Sequence, residues 1–381
     1  MKQKILLFTE NFPPIEGGSG RWFWELYNRL GAGNVVIVTH DVKGSTSIDA
    51  SVSATVVRIP LQSPEWGLKS LQGLKFYWRS VSTLKRLIKQ YDIDEVHCGR
   101  VIHEGVTAWL LSLFTGLKYR CFIHGEDVET AATSREQSMM VKQVCKRAYT
   151  LICNSENSKN LTQKLGYDSG EKCIVLHPGV DVDRFVPKSI DTQFRNAMGW
   201  ADKFVVLTVG RLQQRKGQDY FIRALPDIVK AIPNCLYVVI GSGECKGELV
   251  ELVEQLNLHD HVQFQAGLDD QTLISCYQQC DRFVLPNRTI ANDIEGFGMV
   301  LVEAQACGKP VVAGDSGGTR ETMKIGATGH IIDCSTAESI AKEIVPILTA
   351  PSLSPDVYRE HVMSHFTWEG HLGKFIAMMD E

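Results

Sequence analysis

Short runs of apolar and β-branched residues, separated by stretches of helical spacing, are the feature that most constrains this fold. In the first half they fall at Lys4–Phe8, Val35–His40, Thr55–Pro60, Ile93–Cys98, Tyr119–Gly125, Tyr149–Ser155 and Cys173–His177. In the second they fall at Phe204–Val209, Leu236–Ile240, Val262–Gln265, Phe283–Pro286, Pro310–Ala313 and His330–Asp333. Several are apolar throughout, as strands buried on both faces of a parallel sheet must be. Helical patterns lie between them, at Gly20–Leu30, Gly67–Gln90, Glu104–Phe114, Arg135–Ala148 and Glu156–Leu165, then at Gln218–Lys230, Gly247–Leu256, Asp270–Gln279, Val300–Ala306, Thr319–Lys324 and Ala337–Leu348. The alternation predicts an α/β protein with doubly wound parallel sheets.

A chain of 381 residues exceeds one ordinary core, and at roughly 150 residues per domain it divides into two or three. The Pro- and Gly-punctuated stretch His177-Pro178-Gly179-Val180-Asp181-Val182-Asp183-Arg184-Phe185 is the natural junction between two Rossmann-like halves.

Composition narrows the class. A hydrophobic fraction of 44% with 22% charged residues is that of a soluble globular protein. A net charge of −4 excludes a general nucleic-acid binder. The 11 cysteines are scattered without Cys-x-x-Cys or Cys/His spacing, so they read as reduced, mostly buried thiols of a cytoplasmic protein. The apolar start Ile5–Phe8 is too short for a signal segment, and no run reaches the ~18 residues of a membrane span. Contact with a bilayer is therefore expected to be peripheral.

Chemistry concentrates between Asn292 and Pro310. Glu295-Gly296-Phe297-Gly298 reads as a loop feeding a helix that ends at Gly308. The first amides of that helix, at Gly298, Met299 and Val300, lack intrahelical acceptors and suit a phosphate. Glu303 follows one turn later among small and apolar residues, where its carboxylate can accept hydrogen bonds from vicinal hydroxyls such as those of a ribose. Glu295 can meet a second set of hydroxyls. Read singly, either glutamate is more simply a solvated side chain.

The pair of glutamates seven residues apart, with Glu-Gly-Phe-Gly at the first and Glu-Ala-Gln-Ala-Cys-Gly-Lys-Pro-Val-Val-Ala at the second, resembles the signature of the family 4 retaining glycosyltransferases. The resemblance covers nearly the whole chain. It implies the GT-B fold: two Rossmann-like doubly wound domains facing a central cleft, here 1–180 for the acceptor and 181–365 for the donor nucleotide sugar. The closing helix, 366–381, crosses back to the first domain and carries Leu372, Phe375, Ile376 and Met379.

Four further motifs take roles from the resemblance. The glycine-rich turn at Gly17-Gly18 matches a loop facing the donor phosphates, although alone it is equally a plain strand-to-helix connection. Arg211 and Lys216, in Gly-Arg-Leu and Lys-Gly, match the cations that clamp the diphosphate. His124, in His-Gly-Glu-Asp, matches the histidine beside the transferred sugar. Gly243, in Gly-Ser-Gly, matches a turn next to the nucleotide.

The implied reaction moves a hexose from a nucleotide diphosphate sugar to a hydroxyl of a glycolipid or polysaccharide precursor, with retention through front-face substitution. Neither a metal nor another cofactor is expected, since two side-chain cations and a helix start face the diphosphate with no Asp-x-Asp triplet beside them. The motifs look most like those of transferases that mannosylate phosphatidylinositol mannosides from GDP-mannose; relatives with similar signatures use UDP-sugars. A nucleotide-sugar epimerase of the same fold and a non-catalytic nucleotide-sugar binder are the alternatives. The segment 69–90 adds a partner question. Leu71, Leu74, Trp78, Val81, Leu84 and Ile88 recur at helical spacing, with Lys69, Lys75, Arg79, Lys85, Arg86 and Lys89 and no acid among them. It is either a core-packed helix with a solvated basic face or a helix resting on anionic lipid at the inner face of the plasma membrane.

Overall fold

The structure, a computed structural model, describes residues 3–15, 17–31, 33–63, 65–168 and 171–380. Two compact units divide the chain: Met1–Pro178 with His371–Glu381, and Gly179–Gly370. Glu381, the end of the expected closing helix, lies outside the described residues, as does Glu16 beside the glycine-rich turn.

In unit 1 the order is β1 (Ile5–Thr9), α1 (Gly18–Arg29), β2 (Val35–His40), α2 (Thr46–Ser51), β3 (Thr55–Ile59), α3 (Leu71–Tyr91), β4 (Glu95–Cys98), α4 (Val106–Ser112), β5 (Lys118–Ile123), α5 (Glu126–Ala132), α6 (Arg135–Arg147), β6 (Leu151–Cys153), α7 (Glu156–Lys164) and β7 (Cys173–Val175). Unit 2 continues with α8 (Thr192–Ala197), β8 (Phe204–Val209), α9 (Gln218–Ala231), β9 (Cys235–Ile240), α10 (Lys246–Gln255), β10 (Val262–Gln265), α11 (Asp270–Gln279), β11 (Arg282–Leu285), α12 (Met299–Ala306), β12 (Val311–Gly314), β13 (Gly329–Ile332), α13 (Ala337–Thr349) and α14 (Pro355–His365). The last helix, α15 (Trp368–Asp380), belongs to unit 1 from His371 onward.

Both sheets are parallel, ordered β3-β2-β1-β4-β5-β6-β7 and β10-β9-β8-β11-β12-β13. Burial on two faces explains the unbroken apolar runs. Along β8 and β9, Val205, Leu207, Leu236 and Val238 enter one core, while Val206, Tyr237 and Val239 enter the other. All 11 cysteines are free and buried, behaving as small apolar residues.

Side-chain caps start many of the helices. Ser70, Ser134, Ser155, Asp269 and Thr336 each accept an amide three residues on, contributing about 1 kcal/mol apiece. By contrast α9 and α12 begin on Gly217 and Gly298, with no side-chain cap.

One expectation divides. The apolar positions of α3 recur at helical spacing, but a 100° turn per residue spreads them over two faces. Phe76, Tyr77, Leu84 and Leu87 are buried, whereas Leu71, Leu74 and Trp78 stand exposed beside Lys75 and Arg79. The stretch 67–70, expected to begin the helix, lies ahead of it.

Candidate active site

The strand order of unit 2 reverses between β8 and β11. In open parallel sheets the crevice beyond the strand ends at such a reversal is where ligands bind. The loops leaving these two strands, 210–217 and 286–298, supply most of the expected site.

The loop after β8 tightens into a 3-10 turn, Gln214–Lys216, and closes on Gly217 with φ 74°. A Cβ at Gly217 would lie 1.7 Å from the Pro286 carbonyl oxygen, so glycine is required for the loop to reach its neighbour. The turn directs Arg215 and Lys216 inward, where both are buried. Buried cations need a partner, and Glu295 is that partner. Lys216 Nζ donates to its Oε2 at 2.5 Å, and Arg215 Nη1 donates to the same oxygen at 2.7 Å. Arg215 Nε also meets Asp293 Oδ1 at 2.9 Å. Burial pushes the Glu295 carboxyl up, but the charges of Lys216 and Arg215 outweigh it and hold the carboxyl at about 2. Glu295 is therefore ionised at any working pH.

The backbone of Glu295 is fixed independently. Its carbonyl accepts the Gly318 amide at 2.9 Å, and Gly317, at φ 60°, lies so close that a Cβ would sit 1.9 Å from that oxygen. From Glu295 the chain passes half-buried Gly296 and buried Phe297, whose ring packs on Phe366 at 5.7 Å. It then enters α12 through Gly298 at φ 97°. Met299 and Val300 are half-buried, so the first turn of α12 opens its amides to an outside acceptor. One turn on, Glu303 Oε2 accepts the Tyr277 hydroxyl at 2.7 Å, which orients the carboxylate.

A third loop joins them after β9. Gly243, at φ 158°, would place a Cβ 2.4 Å from the Leu212 carbonyl oxygen. Its lack of a side chain lets 241–245 pair with Leu212, whose amide donates to Ser242 O at 2.8 Å while its carbonyl accepts the Cys245 amide at 3.1 Å. Arg211 differs from the expectation of a paired clamp. Its side chain is exposed and holds no hydrogen bond or ion pair among the described residues. The buried arginine is Arg215, which the motif spacing passed over.

Unit 1 carries the remaining expected residues. Gly17 precedes α1 as its cap, with Gly18 as the first helical residue. His124 directly follows β5, buried with its ring edge-to-face against Trp22 and Phe23 at 5.9 and 5.8 Å. Its Nε2 donates to the Gly99 carbonyl at 2.9 Å. Burial lowers its pKa, so the ring stands neutral.

Two Asp-x-Asp triplets do occur, but away from these loops. Asp94 accepts the Lys4 amide at 2.8 Å ahead of β1 and β4, and Asp92 caps the end of α3. Asp181 accepts the amides of Asp183 and Arg184 within its own turn.

Comparison with known proteins gives a consistent result. Residues 16–184 match the family described as Glycosyltransferase Family 4, and residues 191–360 that described as Glycosyl transferases group 1. The GDP-mannose-dependent alpha-(1-6)-phosphatidylinositol monomannoside mannosyltransferase of Mycolicibacterium smegmatis is 29% identical over 369 residues, covering 91% of this chain and 90% of that protein. A GDP-mannose-dependent monoacylated alpha-(1-6)-phosphatidylinositol monomannoside mannosyltransferase of Corynebacterium glutamicum is 26% identical, covering 96% and 95%. Among solved structures, Anabaena HepE in complex with UDP and glucose superposes with a TM-score of 0.82 at 20% identity, over 99% of both chains.

Proposed function

The chain belongs to the glycosyltransferases with GT-B fold, a family 4 domain followed by a group 1 domain, and on that premise we propose that it moves mannose from GDP-mannose to a hydroxyl of a glycolipid or polysaccharide precursor. The observation that carries this reading is the buried Lys216–Glu295–Arg215 group at the strand-order reversal of unit 2. Relatives named for GDP-mannose over nine-tenths of both chains support the choice of donor.

Catalysis rests on the leaving group. As the bond from the anomeric carbon to the diphosphate oxygen lengthens, charge collects on that oxygen. Lys216, Arg215, the open amides of α12 and the exposed cation of Arg211 stabilise it. The acceptor oxygen bonds to the same face of the anomeric carbon and passes its proton to the departing phosphate, which gives retention. Glu303 takes the ribose hydroxyls. Glu295 holds the two cations in place and offers its remaining lone pairs to sugar hydroxyls. These cations supply the neutralising charge, so a divalent metal is not required.

Acceptor delivery follows from α3. Leu71, Leu74 and Trp78 are exposed by 77, 47 and 74% among uncompensated cations, the composition of a helix that rests on anionic lipid. No helix among the described residues is long and apolar enough to cross a membrane. Such a contact would hold the enzyme peripherally at the inner face of the plasma membrane.

The test is a thermal-shift series with GDP, UDP and ADP, followed by nucleotide release from GDP-mannose with and without lipid acceptor, each in excess EDTA. Stabilisation by GDP and acceptor-dependent release that EDTA leaves intact are expected. Epimerised donor without acceptor, or activity that only a divalent ion restores, would overturn it.

A further inference from the structure

The sheet of unit 1 also reverses its order, between β1 and β4, and the loops leaving those strands hold a side-chain group that the donor chemistry does not use. After β4 the chain makes a kinked turn, Val101–Gly105, in which His103 adopts φ 34°. Left-handed backbone is strained for such a residue and concentrates at functional positions. The kink buries His103 and Glu104, 1% and 0% exposed.

Glu104 Oε1 accepts the Glu10 amide at 2.9 Å. His103 Nδ1 lies 3.5 Å from Glu104 Oε2, and its Nε2 lies 3.7 Å from Glu10 Oε2. Trp66 stacks on the imidazole at 5.4 Å, and Phe76 meets its edge at 5.6 Å. Within this group three polar atoms have no hydrogen-bond partner: Trp66 Nε1, His103 Nε2 and Glu104 Oε2. Folded proteins pair the large majority of their buried polar side-chain atoms. Three around one imidazole mark a place where something else supplies the partners.

Charge selects what that is. Burial pushes the Glu104 carboxyl up to about 8 and the His103 imidazole down to about 3, so both are neutral near pH 7. Arg100 faces the group and lies 3.9 Å from Glu126; the Glu10 carboxylate faces it with the opposite sign. An indole N–H only donates, a carboxylate only accepts, and a protonated carboxyl or neutral imidazole does either. Vicinal hydroxyls, which each give and take a hydrogen bond, match this set. A phosphate, which accepts only, meets the Glu10 carboxylate.

We propose that Glu10, Trp66, His103 and Glu104 form a subsite for the uncharged hydroxyl-bearing ring of the acceptor, a hexose or cyclitol. The proposal rests on the glycosyl-transfer reading above. The ring's hydroxyls would supply the partners that Trp66 Nε1, His103 Nε2 and Glu104 Oε2 lack.

The full chain is titrated calorimetrically with methyl α-mannoside, myo-inositol and inorganic phosphate, with GDP as a parallel ligand. One or both polyols should bind and phosphate should not. E104L and W66F should weaken polyol binding about tenfold, since each removes a buried partner. E104Q keeps a donor and an acceptor and should stay within about threefold of wild type. The thermal unfolding transition of each variant reports whether unit 1 is folded, GDP affinity reports the donor side, and W66F carries the test should E104L misfold. Equal polyol affinity in wild type, E104L and W66F, phosphate binding lost in E104L, or no polyol binding by a chain that binds GDP would each overturn the subsite. A chain that binds no nucleotide would instead sink the transferase reading.

Discussion

Lys216 and Glu295 meet at 2.5 Å, and the same glutamate oxygen receives Arg215 at 2.7 Å, so one carboxylate holds two buried cations from the neighbouring loop. Removing the carboxylate leaves buried Lys216 without a counter-charge and Arg215 with the exposed Asp293 carboxylate. Glu295→Ala is expected to destabilise the fold by ~3 kcal/mol. Lys216→Ala is expected to lower kcat by about two orders of magnitude, the loss typical of one oxyanion-type donor. The double variant should cost less than the sum, because the residues act as one unit. Chemical denaturation and initial rates measure both; additive effects would show that the pair is not coupled.

Tyr277 gives a finer probe. Its hydroxyl only orients Glu303, so Tyr277→Phe should raise KM for the donor about fivefold, the value of one hydrogen bond of ~1 kcal/mol, and leave kcat nearly unchanged. Glu303→Ala should raise it further. Unchanged donor KM in Glu303→Ala would remove that residue from the ribose site.

The ring of His371 sets an acid limit. It donates from Nδ1 to the His177 carbonyl at 2.8 Å and accepts the Trp22 indole N–H at Nε2 at 3.2 Å. Burial lowers its pKa to about 4, and protonation would set two donors face to face. Its folded value lies below the ordinary 6.5, so its stabilisation is complete above about 6.5 and is lost as pH falls toward 4. At ~1.36 kcal/mol per unit the loss is about 3 kcal/mol. His371→Asn should flatten the decline in stability between pH 6.5 and 4. Comparing the two proteins separates this ring from His103, which acts in the same direction, and from Glu104, whose raised value works oppositely as pH rises from about 4.5 to 8. Equal slopes would exclude His371.

For α3, sedimentation with vesicles separates charge from apolar contact. Lys75, Arg79, Lys85 and Arg86 reversed together to Glu should abolish binding to anionic vesicles, and Trp78→Ser should weaken it. Wild-type binding should fade near molar salt, where screening shortens to about 3 Å. GDP binding should be unaffected. Co-sedimentation of the reversed protein as before would make α3 an ordinary solvated face.

The strands were legible because burial on both faces leaves continuous apolar runs, and their positions follow the sequence to within two residues. The helices α2 and α8 were not, since six residues give too little periodicity to read. For α14 the signal was present, with Ser354 as cap and Pro355 after it. The site was legible where one segment carries it, as from Glu295 to Glu303. It was illegible where distant segments meet: whether Arg211 or Arg215 turns inward is decided by the turn that Gly217 closes against Pro286. Glu10, Trp66 and His103 come from three such segments, and each is ordinary in its local sequence.

The chain's last ten or so residues complete the unit that its first residues begin. Phe375 packs on Tyr27 and His97 at 6.2 and 5.8 Å, and His371 takes the Trp22 N–H. On a ribosome, therefore, unit 1 waits for residues 371–380 to emerge, while the whole of unit 2 is synthesised in between. A stop codon after Gly370 would spare that middle core and strand Trp22 and Tyr27 without their cover. Such a chain should bind a hydrophobic dye where the intact one does not, because the rings that Phe375 and His371 contact would lose that cover.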